Sequence, residues 1–264
     1  MAGECTATAV KLITWNVNSV RARLERLLAL LDRHRPDVVC LQELKCTDEA
    51  FPTLEIRGAG YYTASFGQKT YNGVAILSRT EAKDIVRGFG DNVDDSEARL
   101  IAATIGNVRV LSAYFPNGAQ IGSESYGRKL VWMKRLRGYL DGKHKPFNSL
   151  VLAGDFNVAP DDLDVANPDP WRNTVLCADD VRAALAHIGE FGLVDVFRRF
   201  HPEGHVYSWW DYRMLGFPKN DGLRIDHIFA TASLAARARA AEVDRNERKG
   251  KLPSDHAPVI ATFD

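Results

Sequence analysis

The sequence lacks an excess of charge of either sign. Its 264 residues include 34 lysines and arginines and 34 aspartates and glutamates, so the formal net charge is zero. Without a global positive excess, the chain can bind nucleic acid only through charge that is segregated on one face. Basic clusters lie at 21–26, 129–137 and 245–251. Taken singly, each cluster is typical of a solvated surface.

Paired cysteines, long apolar runs and nucleotide-binding loops are also missing. The four cysteines show no C-x-x-C spacing, so neither a disulfide framework nor a zinc site is indicated, and a reducing, cytoplasmic setting fits best. No segment has the pattern of a secretion signal or the length of a membrane span, so we expect no membrane association. Neither G-x-x-x-x-G-K-[ST] nor G-x-G-x-x-G occurs, which leaves nucleoside triphosphates and dinucleotides without support as ligands.

What the chain does contain is a series of apolar segments separated by helical ones. We expect strands at 10–16, 37–43, 61–66, 73–78, 99–105, 108–114, 150–153, 193–197, 224–230 and 257–263, and helices at 19–34, 127–144 and 179–191. Hairpin-like pairs and crossover helices are mixed, and no linker divides the chain. The pattern predicts one domain over 1–264, with a flexible extension at 1–10. Its fold class is α/β, a four-layer sandwich of two mixed sheets packed face to face and flanked by helices.

One apolar strand ends in the sequence GDFN, which places Asp155 and Asn157 two residues apart. Side chains alternate along a strand, so these two share a face. A carboxylate beside an amide suits a site for metal, water or phosphate. It also suits an ordinary turn, because Asp and Asn readily bond to nearby backbone groups.

Other apolar strands also end in polar residues. These are Asn16, Glu43, Tyr114 and the pair Asp255–His256 before the last strand. Asp226 lies inside the expected strand 224–230, and burying an ionised carboxylate is costly unless it is paired or binds a metal. Together these residues predict a polar site at one end of the sandwich. Oxygen ligands favour Mg²⁺ or Mn²⁺ and hence phosphoester hydrolysis.

Seven motifs carry a family resemblance. They are TWNVNSVRAR (14–23), LQELK (41–45), AYFPNG (113–118), GDFNVAPDDLDV (154–165), SWWDYR (208–213), GLRIDHI (222–228) and PSDHAPV (253–259). In this order they resemble the exonuclease III branch of the endonuclease/exonuclease/phosphatase superfamily, over residues 11–263.

The resemblance implies a monomeric, Mg²⁺-dependent phosphodiesterase, with Mn²⁺ able to substitute, that acts on damaged or nicked double-stranded DNA in base-excision repair. It would be an abasic-site endonuclease, a 3′–5′ exonuclease that also trims blocked 3′ ends, or both. One alternative is a superfamily phosphatase or nonspecific nuclease with another phosphoester substrate. A remoter alternative is an inactive DNA-binding scaffold.

The resemblance also implies a set of metal-binding residues, namely Asn16, Glu43, Asp155, Asn157, Asp255 and His256. Among them Glu43 resembles the principal ligand, with Asn16 and Asp255 as direct or water-mediated partners. Asn18 stands where some relatives carry a metal-binding Asp, so a second carboxylate is missing there.

The implied catalytic roles fall on five side chains. Asp155 resembles the residue that activates the attacking water, and Asn157 resembles the amide that positions the water or the phosphate. His256 resembles the histidine that contacts the scissile phosphate, with Asp226 orienting its ring. Tyr114 resembles the phenol directed at the phosphate or the leaving group. Which of Asp155, His256 and Tyr114 handles each proton is open at this stage.

The resemblance implies a DNA-facing surface as well. Its backbone-contacting members are Arg21, Lys45, Lys69, Tyr71, Asn72, Arg99 and Asn117, and Arg172 lies in the segment 165–176, which borders the DNA. Such contacts position a duplex without reading its sequence. Trp210, Leu223 and Ile225 match an apolar pocket for a sugar that lacks its base. For Trp210 and its neighbour Trp209, plain core packing is an equal alternative. The bulk of Arg172 would obstruct a flipped sugar and favour blocked 3′ ends.

Overall fold

The computed structural model describes residues 9–91, 93 and 97–264, apart from the side chain of Met214. Twelve strands form within these residues: β1 Val10–Asn16, β2 Val38–Gln42, β3 Tyr62–Phe66, β4 Val74–Ser78, β5 Lys83–Arg87, β6 Leu100–Ile105, β7 Val108–Tyr114, β8 Leu150–Asp155, β9 Leu193–Asp195, β10 Asp226–Thr231, β11 Ala238–Val243 and β12 Val259–Phe263. The expected N-terminal extension covers residues 1–10. Residues 1–8 lie outside the described residues, and Val10 already belongs to β1.

Helices connect and cover these strands. They are α1 Leu24–His34, α2 Thr53–Gly58, α3 Glu124–Lys143, α4 Asp179–Gly189, α5 Val196–Phe200, α6 Gly216–Lys219 and α7 Ala232–Ala235. Short 3₁₀ turns lie at Asp48–Ala50, Asp162–Asp164, Arg213–Leu215 and Arg245–Arg248. Among the described residues, no helix combines the length and the apolar character needed to cross a membrane.

The strands form two six-stranded sheets. The first sheet has the order β11-β12-β1-β2-β4-β3, and the second has the order β5-β6-β7-β8-β10-β9. Each sheet contains one parallel pair, β1 with β2 and β7 with β8, and its other pairs are antiparallel. A parallel pair requires a crossover connection, and α1 and α3 supply these two crossovers. The carboxyl ends of both parallel pairs point to one end of the molecule, where the site lies.

Apolar side chains form three main core regions, one between the sheets and one on the outer face of each sheet. Residues such as Cys40, Ile76 and Val110 form the core between the sheets. The leucines of α1 cover the outer face of the first sheet, and α3 and α4 cover the outer face of the second. The arrangement is helix, sheet, sheet, helix, so the prediction of a four-layer α/β sandwich is confirmed.

Element boundaries differ from the expected ones where polar contacts intervene. Helix α1 begins at Leu24 instead of residue 19, because the backbone amides of Val17, Ser19 and Val20 donate to carbonyls of residues 42–44 and extend the pairing beyond β1. Segment 193–197 divides into β9 and α5, since the Asp195 carboxylate accepts from the backbone amide of Arg198 and caps a helix.

Strand β10 begins at Asp226, so this residue opens its strand instead of lying inside it. The hydroxyl of Ser208 accepts hydrogen bonds from the backbone amides of Ile225 and Asp226, which draws residues before 226 towards the 208–209 segment. Two strands that the sequence pattern did not predict, β5 and β11, lie at sheet edges. Most of their residues are exposed or half-buried, so neither strand has the continuous apolar run of a buried one.

Candidate active site

Three neighbouring strands of the second sheet place three functional side chains in register. Tyr114 at the end of β7 pairs with Asp155 at the end of β8, and Asp155 also pairs with Asp226 at the start of β10. Gly154 makes this approach of β7 and β8 possible, because a Cβ at that position would overlap the carbonyl oxygen of Ala113. The sheet therefore brings together residues that lie far apart in the sequence.

The first sheet contributes Asn16 and Glu43. Asn16 ends β1 and Glu43 follows β2, so both leave the carboxyl end of the parallel pair. The side-chain nitrogen of the buried Asn16 donates to Glu43 Oε1 and to Asp155 Oδ2, at 2.9 Å each. Its side-chain oxygen accepts from the backbone amide of Asn18. Asn16 thus bridges carboxylates that belong to different sheets.

Several residues around this bridge have a left-handed backbone. The φ angles are 45° at Asn18, 52° at Glu43, 54° at Lys45 and 49° at Asn157. Such conformations cost free energy for residues other than glycine and persist where the surrounding contacts impose them, commonly at functional sites. Here the turns that follow β1, β2 and β8 are held in geometries that aim their side chains into one space.

His256 lies in a relay of hydrogen bonds. Its Nδ1 is 2.8 Å from Asp226 Oδ2, and the hydroxyl of Ser208 donates to the same oxygen at 2.6 Å. The other ring nitrogen, Nε2, lies 3.7 Å from Asp155 Oδ2. Asp226 therefore orients the ring so that Nε2 faces the space beside Asp155. Ser208 is not among the predicted site residues, although its position within the SWWDYR motif could have suggested it.

The charges of this relay shift two pKa values in the same direction. Burial raises the pKa of Asp155, and the neighbouring Asp226 raises it further, against the opposing charge of His256. Burial alone would lower the pKa of His256, but the carboxylates of Asp226 and Asp155 raise it well above its usual value. A carboxyl group with a raised pKa beside an oriented imidazole is suited to acid–base work near neutral pH.

Glu43 is held ionised, in contrast. Burial raises its pKa, but hydrogen bonds from Asn16 and Lys45 outweigh burial, so the pKa of Glu43 is lowered. The Lys45 ammonium lies 2.8 Å from Glu43 Oε2, and the Tyr114 hydroxyl donates to Oε1 at 2.9 Å. Burial and the charge of Glu43 raise the pKa of Tyr114 well above its usual value, so the phenol stays protonated.

The donor set fits a divalent cation. Glu43, Asp155 and His256 each offer one ligand atom, and these atoms lie within 4.8 Å of one another. Two carboxylate oxygens predominate, no thiolate is present in this group, and the buried carboxylate of Asp155 lacks a fully compensating positive charge. Such a site suits a hard ion with oxygen ligands.

Asp255 lies outside this group of three ligand atoms. One of its oxygens accepts from the side-chain nitrogen of Asn18 at 2.9 Å, and the other accepts from the indole nitrogen of Trp209 at 3.1 Å. Both oxygens are therefore engaged by neutral donors. Asn18 takes part through its amide, and its side-chain oxygen accepts from Lys45 at 2.6 Å.

Asn157 lies beside Asp155 and faces a second amide. Its side-chain oxygen accepts from the side-chain nitrogen of Asn117 at 3.1 Å, and its own side-chain nitrogen donates to the carbonyl of Phe115 at 3.0 Å. The backbone amide of Asn157 donates to Asp155 Oδ1 at 2.9 Å. The turn therefore orients the carboxylate of Asp155 through its own backbone.

The expected DNA-facing residues divide into exposed and enclosed ones. The exposed members are Arg21, Lys69, Tyr71, Asn117 and Arg172, and Tyr71 is 68% exposed. Arg172 forms ion pairs with Asp162 and Asp169, at 3.0 and 3.3 Å. A phosphate group would have to compete with these two carboxylates for Arg172.

The enclosed members are held by protein contacts. Lys45 pairs with Glu43 inside the site, and the side chain of Arg99 pairs with Glu97 at 2.7 Å. Asn72 is buried, and its side-chain nitrogen donates to Gln68. Arg99 and Asn72 therefore offer little free surface to a duplex, whereas Lys45 is half-buried and its ammonium group faces Glu43.

The expected apolar pocket has no exposed surface. Trp210, Leu223 and Ile225 are 0%, 0% and 2% exposed. The half-buried aromatic residue beside the site is Trp209, whose ring lies 6.5 Å from the ring of His256 and packs edge-on against Trp171 at 5.9 Å. Core packing thus describes Trp210, whereas Trp209 and Trp171 present the aromatic surface next to the histidine.

The fold consists of two mixed sheets, and an acidic site that fits a metal lies at the end of the molecule where both parallel strand pairs end. This combination defines a class of metal-dependent hydrolases. The chain belongs to the Endonuclease/Exonuclease/phosphatase family, whose model matches residues 13–256. Exodeoxyribonuclease III of Haemophilus influenzae is 37% identical over 266 aligned residues, which cover 96% of this chain and 100% of that protein.

Solved structures agree with this assignment. An AP endonuclease from Archaeoglobus fulgidus superposes with a TM-score of 0.94 at 40% identity, covering 97% of this chain and 99% of that one. A 3′ phosphatase from Neisseria, bound to a product DNA hairpin, superposes with a TM-score of 0.93, also at 40% identity and with the same coverage of 97% and 99%. The predictions of the family and of a hydrolytic nuclease are confirmed.

Proposed function

We propose that this chain is a Mg²⁺-dependent DNA-repair phosphodiesterase that acts on damaged or nicked double-stranded DNA. Its reactions would be incision at abasic sites and removal of blocking groups or nucleotides from 3′ ends. The observation that carries the proposal is the convergence of Glu43, Asp155 and His256 within 4.8 Å, with Asp226 behind the histidine. The names of the relatives, an exodeoxyribonuclease, an AP endonuclease and a 3′ phosphatase, support the substrate class.

The residues that would hold the ion are Glu43 and Asp155, with Asn16 fixing both carboxylates, and Nε2 of His256 is left to face the phosphate. Bound there, Mg²⁺ supplies Lewis-acid stabilisation of the charge that develops on the phosphate oxygens. Lys45 keeps Glu43 ionised and adds a positive charge at the same place. The remaining steps use groups of the protein itself.

Hydrolysis begins with a water molecule placed against the phosphorus atom. Asp155 accepts the proton of that water, since burial raises the pKa of its carboxyl group towards neutrality. His256, oriented by Asp226, donates from Nε2 to a non-bridging oxygen of the phosphate. The phenol of Tyr114 stays protonated, and its single O–H, which donates to Glu43 Oε1 in this structure, would turn to donate to the phosphate or to the leaving oxygen. The bond between phosphorus and the 3′ oxygen breaks, the water oxygen stays on phosphorus, and the leaving oxygen takes a proton from solvent, which leaves a 3′-hydroxyl.

Two duplexes test the proposal. One contains an internal abasic-site analogue, and the other contains a nick with a 3′-phosphate. Each is incubated with the protein in Mg²⁺ or in EDTA, and products are separated on a denaturing gel. We expect cleavage or phosphate release in Mg²⁺ and none in EDTA. If neither duplex reacts in Mg²⁺, the repair function is refuted, and release of phosphate from a non-DNA phosphoester would then favour a superfamily phosphatase.

The ratio of the two rates assigns the main activity. A faster reaction at the abasic analogue indicates an endonuclease, and a faster reaction at the 3′-phosphate indicates a 3′-trimming enzyme. Arg172 follows Trp171, which packs against Trp209 near His256, and its ion pairs with Asp162 and Asp169 hold a bulky side chain there, which favours 3′ trimming. The expectations of a monomer and of a cytoplasmic setting stay predictions.

A further inference from the structure

Lys129 is a buried cation that the proposed chemistry does not use. It lies on α3, it is 0% exposed, and no ion pair among the described residues includes it. Its ammonium group donates to three backbone carbonyls instead, those of Asn117 at 3.2 Å, Asn157 at 2.7 Å and Val175 at 2.6 Å. All three N–H donors of the ammonium group are therefore used.

The three carbonyls come from three segments at the site. Asn117 follows β7, Asn157 follows β8, and Val175 belongs to the segment that leads into α4. The side chains of Asn117 and Asn157 bond to each other, and the backbone amide of Asn157 bonds to Asp155. Asn157 thus links the two groups: its carbonyl accepts from the ammonium group, and its backbone amide donates to the carboxylate that we propose as the base.

Burying a lysine without a carboxylate partner is costly, because the charged form loses its hydration, and burial lowers the pKa of Lys129 to about 7 against the opposing charge of Asp155. Three carbonyl acceptors around one nitrogen match the three donors of the charged form. The surroundings are nevertheless shaped for it. Gly118 has φ of +96°, and a Cβ at that position would come within 3.1 Å of the Lys129 side chain. Asn157 keeps its left-handed conformation, with φ of 49°, while its carbonyl accepts from Lys129. A neutral, apolar side chain at position 129 would leave three carbonyls without this donor.

We propose that Lys129 is a positioning residue. It holds Asn117 and Asn157 in place beside Asp155 and fixes the segment around Val175 at the border of the site. The role in turnover rests on the function proposed above. Removing the ammonium group should let the three segments shift relative to one another, which impairs catalysis more than it weakens DNA binding.

The first test compares Lys129→Met with Lys129→Arg and with Lys134→Met, an exposed lysine on the same helix. For Lys129→Met we expect kcat on the better of the two duplexes to fall roughly 10-fold to 100-fold, while KM changes less than about threefold. Lys129→Arg, which restores donors, should recover part of kcat, and Lys134→Met should behave as wild type. Unchanged kcat in Lys129→Met, or equal losses in the Met and Arg variants, would overturn the proposal.

The second test does not depend on turnover. Hydrogen–deuterium exchange should accelerate in Lys129→Met at 115–119, 156–159 and 174–177, and return towards wild type in Lys129→Arg. Acceleration spread evenly over the chain would show a general loss of stability and refute a positioning role. If Lys129→Met does not fold, Lys129→Gln takes its place under the same criteria. A wild type that cleaves neither duplex would refute the proposed function, while the exchange pattern would still decide whether Lys129 fixes the three segments.

Discussion

Two buried groups of charges lie on either side of the start of β10, and the protein neutralises them differently. On one side, Asp226 belongs to the site with Glu43 and Asp155, where His256 is the buried cationic partner of two carboxylates. On the other side, two residues earlier, Arg224 lies between Asp164 at 2.6 Å and Asp195 at 2.8 Å. Both groups are enclosed, so burial alone does not distinguish them.

The pKa shifts distinguish the two groups. Burial lowers the pKa of Arg224, but the charges of Asp195 and Asp164 outweigh burial and raise it. Burial raises the pKa of Asp195, and Arg224 outweighs burial to lower it. In that network each ion has its counter-ion. In the site, burial and the neighbouring Asp226 raise the pKa of Asp155, and the opposing charge of His256 does not offset them. The difference indicates that the network stabilises the fold, whereas the site is completed by a cation and a substrate.

The largest expected effect lies in the site. Asp155→Asn removes the proposed base and one ligand, so kcat on the duplex substrates should fall by a factor of about 10² to 10⁴. DNA affinity, measured by fluorescence anisotropy, should change little, and the thermal midpoint in EDTA should not fall, because an imperfectly balanced buried charge is removed. The exposed Asp161 provides the matched control, as Asp161→Asn. Near-normal turnover in Asp155→Asn would mean that this residue only shapes a turn.

The network should respond in the opposite way. Asp164→Asn removes the carboxylate that Arg224 and Arg198 share, at 2.6 and 2.5 Å, and leaves Asp195 as the one carboxylate of the network for two arginines. We expect the free energy of unfolding to fall by about 3–5 kcal/mol, with little change in turnover per folded molecule. Chemical denaturation measures the first and active-site titration the second. Asp169→Asn, at an exposed ion pair, should cost less than about 1 kcal/mol. A kcat loss without loss of stability in Asp164→Asn would erase the distinction between the two groups.

Protonation of the buried His227 should make the unfolding free energy depend on pH. Burial and the charge of Arg224 lower the pKa of His227 to about 4 from its ordinary 6.5. Its contribution to stability is therefore complete above the unfolded-state pKa and is lost as pH falls through the folded-state pKa. The difference in unfolding free energy between wild type and His227→Gln should shrink by up to about 3 kcal/mol between pH 6.5 and 4.

The site changes the unfolding free energy with pH in the opposite direction, because the pKa values of Asp155 and His256 are raised in the folded state. Their contribution is lost as pH rises, so only the difference between wild type and variant isolates His227. Denaturation series at several pH values in EDTA give this difference. A difference that does not vary with pH would show that His227 titrates normally in the folded protein.

The sequence predicted which polar side chains would converge better than it predicted what surrounds them, for a physical reason. Asn16, Glu43, Tyr114 and Asp155 lie at the ends of strongly apolar strands, where a polar residue is conspicuous. Their convergence follows from the two parallel pairs, each of which brings two strand ends to the same edge. Adjacent aromatic residues offer no such contrast. Trp209 and Trp210 are chemically identical, and only the fold decides that Trp210 is buried while Trp209 faces the histidine.

Residues of the basic clusters make contacts within the protein that their positions in the sequence do not indicate. Arg26 donates to the carbonyls of Lys249 and Lys251, more than two hundred residues away, and so binds one cluster to another. Arg248 is buried and donates to the carbonyl of Ser254. Lys129 is buried in a place where its neighbours in sequence suggested a solvated run. Nothing in the local pattern of residues distinguishes a cationic side chain that is bonded within the protein from one that is free to bind DNA.

The smallest expected effect tests that last distinction at the surface. Arg21 is exposed and makes no ion pair with the described residues, whereas Arg33 is paired with Asp244 and Glu247. Arg21→Ala should weaken DNA binding uniformly across sequences and reduce the slope of log affinity against log salt by about one. Arg33→Ala should leave both quantities unchanged and cost a little stability. Binding isotherms at four salt concentrations measure the slopes. Equal slopes for wild type and Arg21→Ala would place this arginine outside the DNA-binding surface, since each phosphate contact that is lost must reduce counterion release.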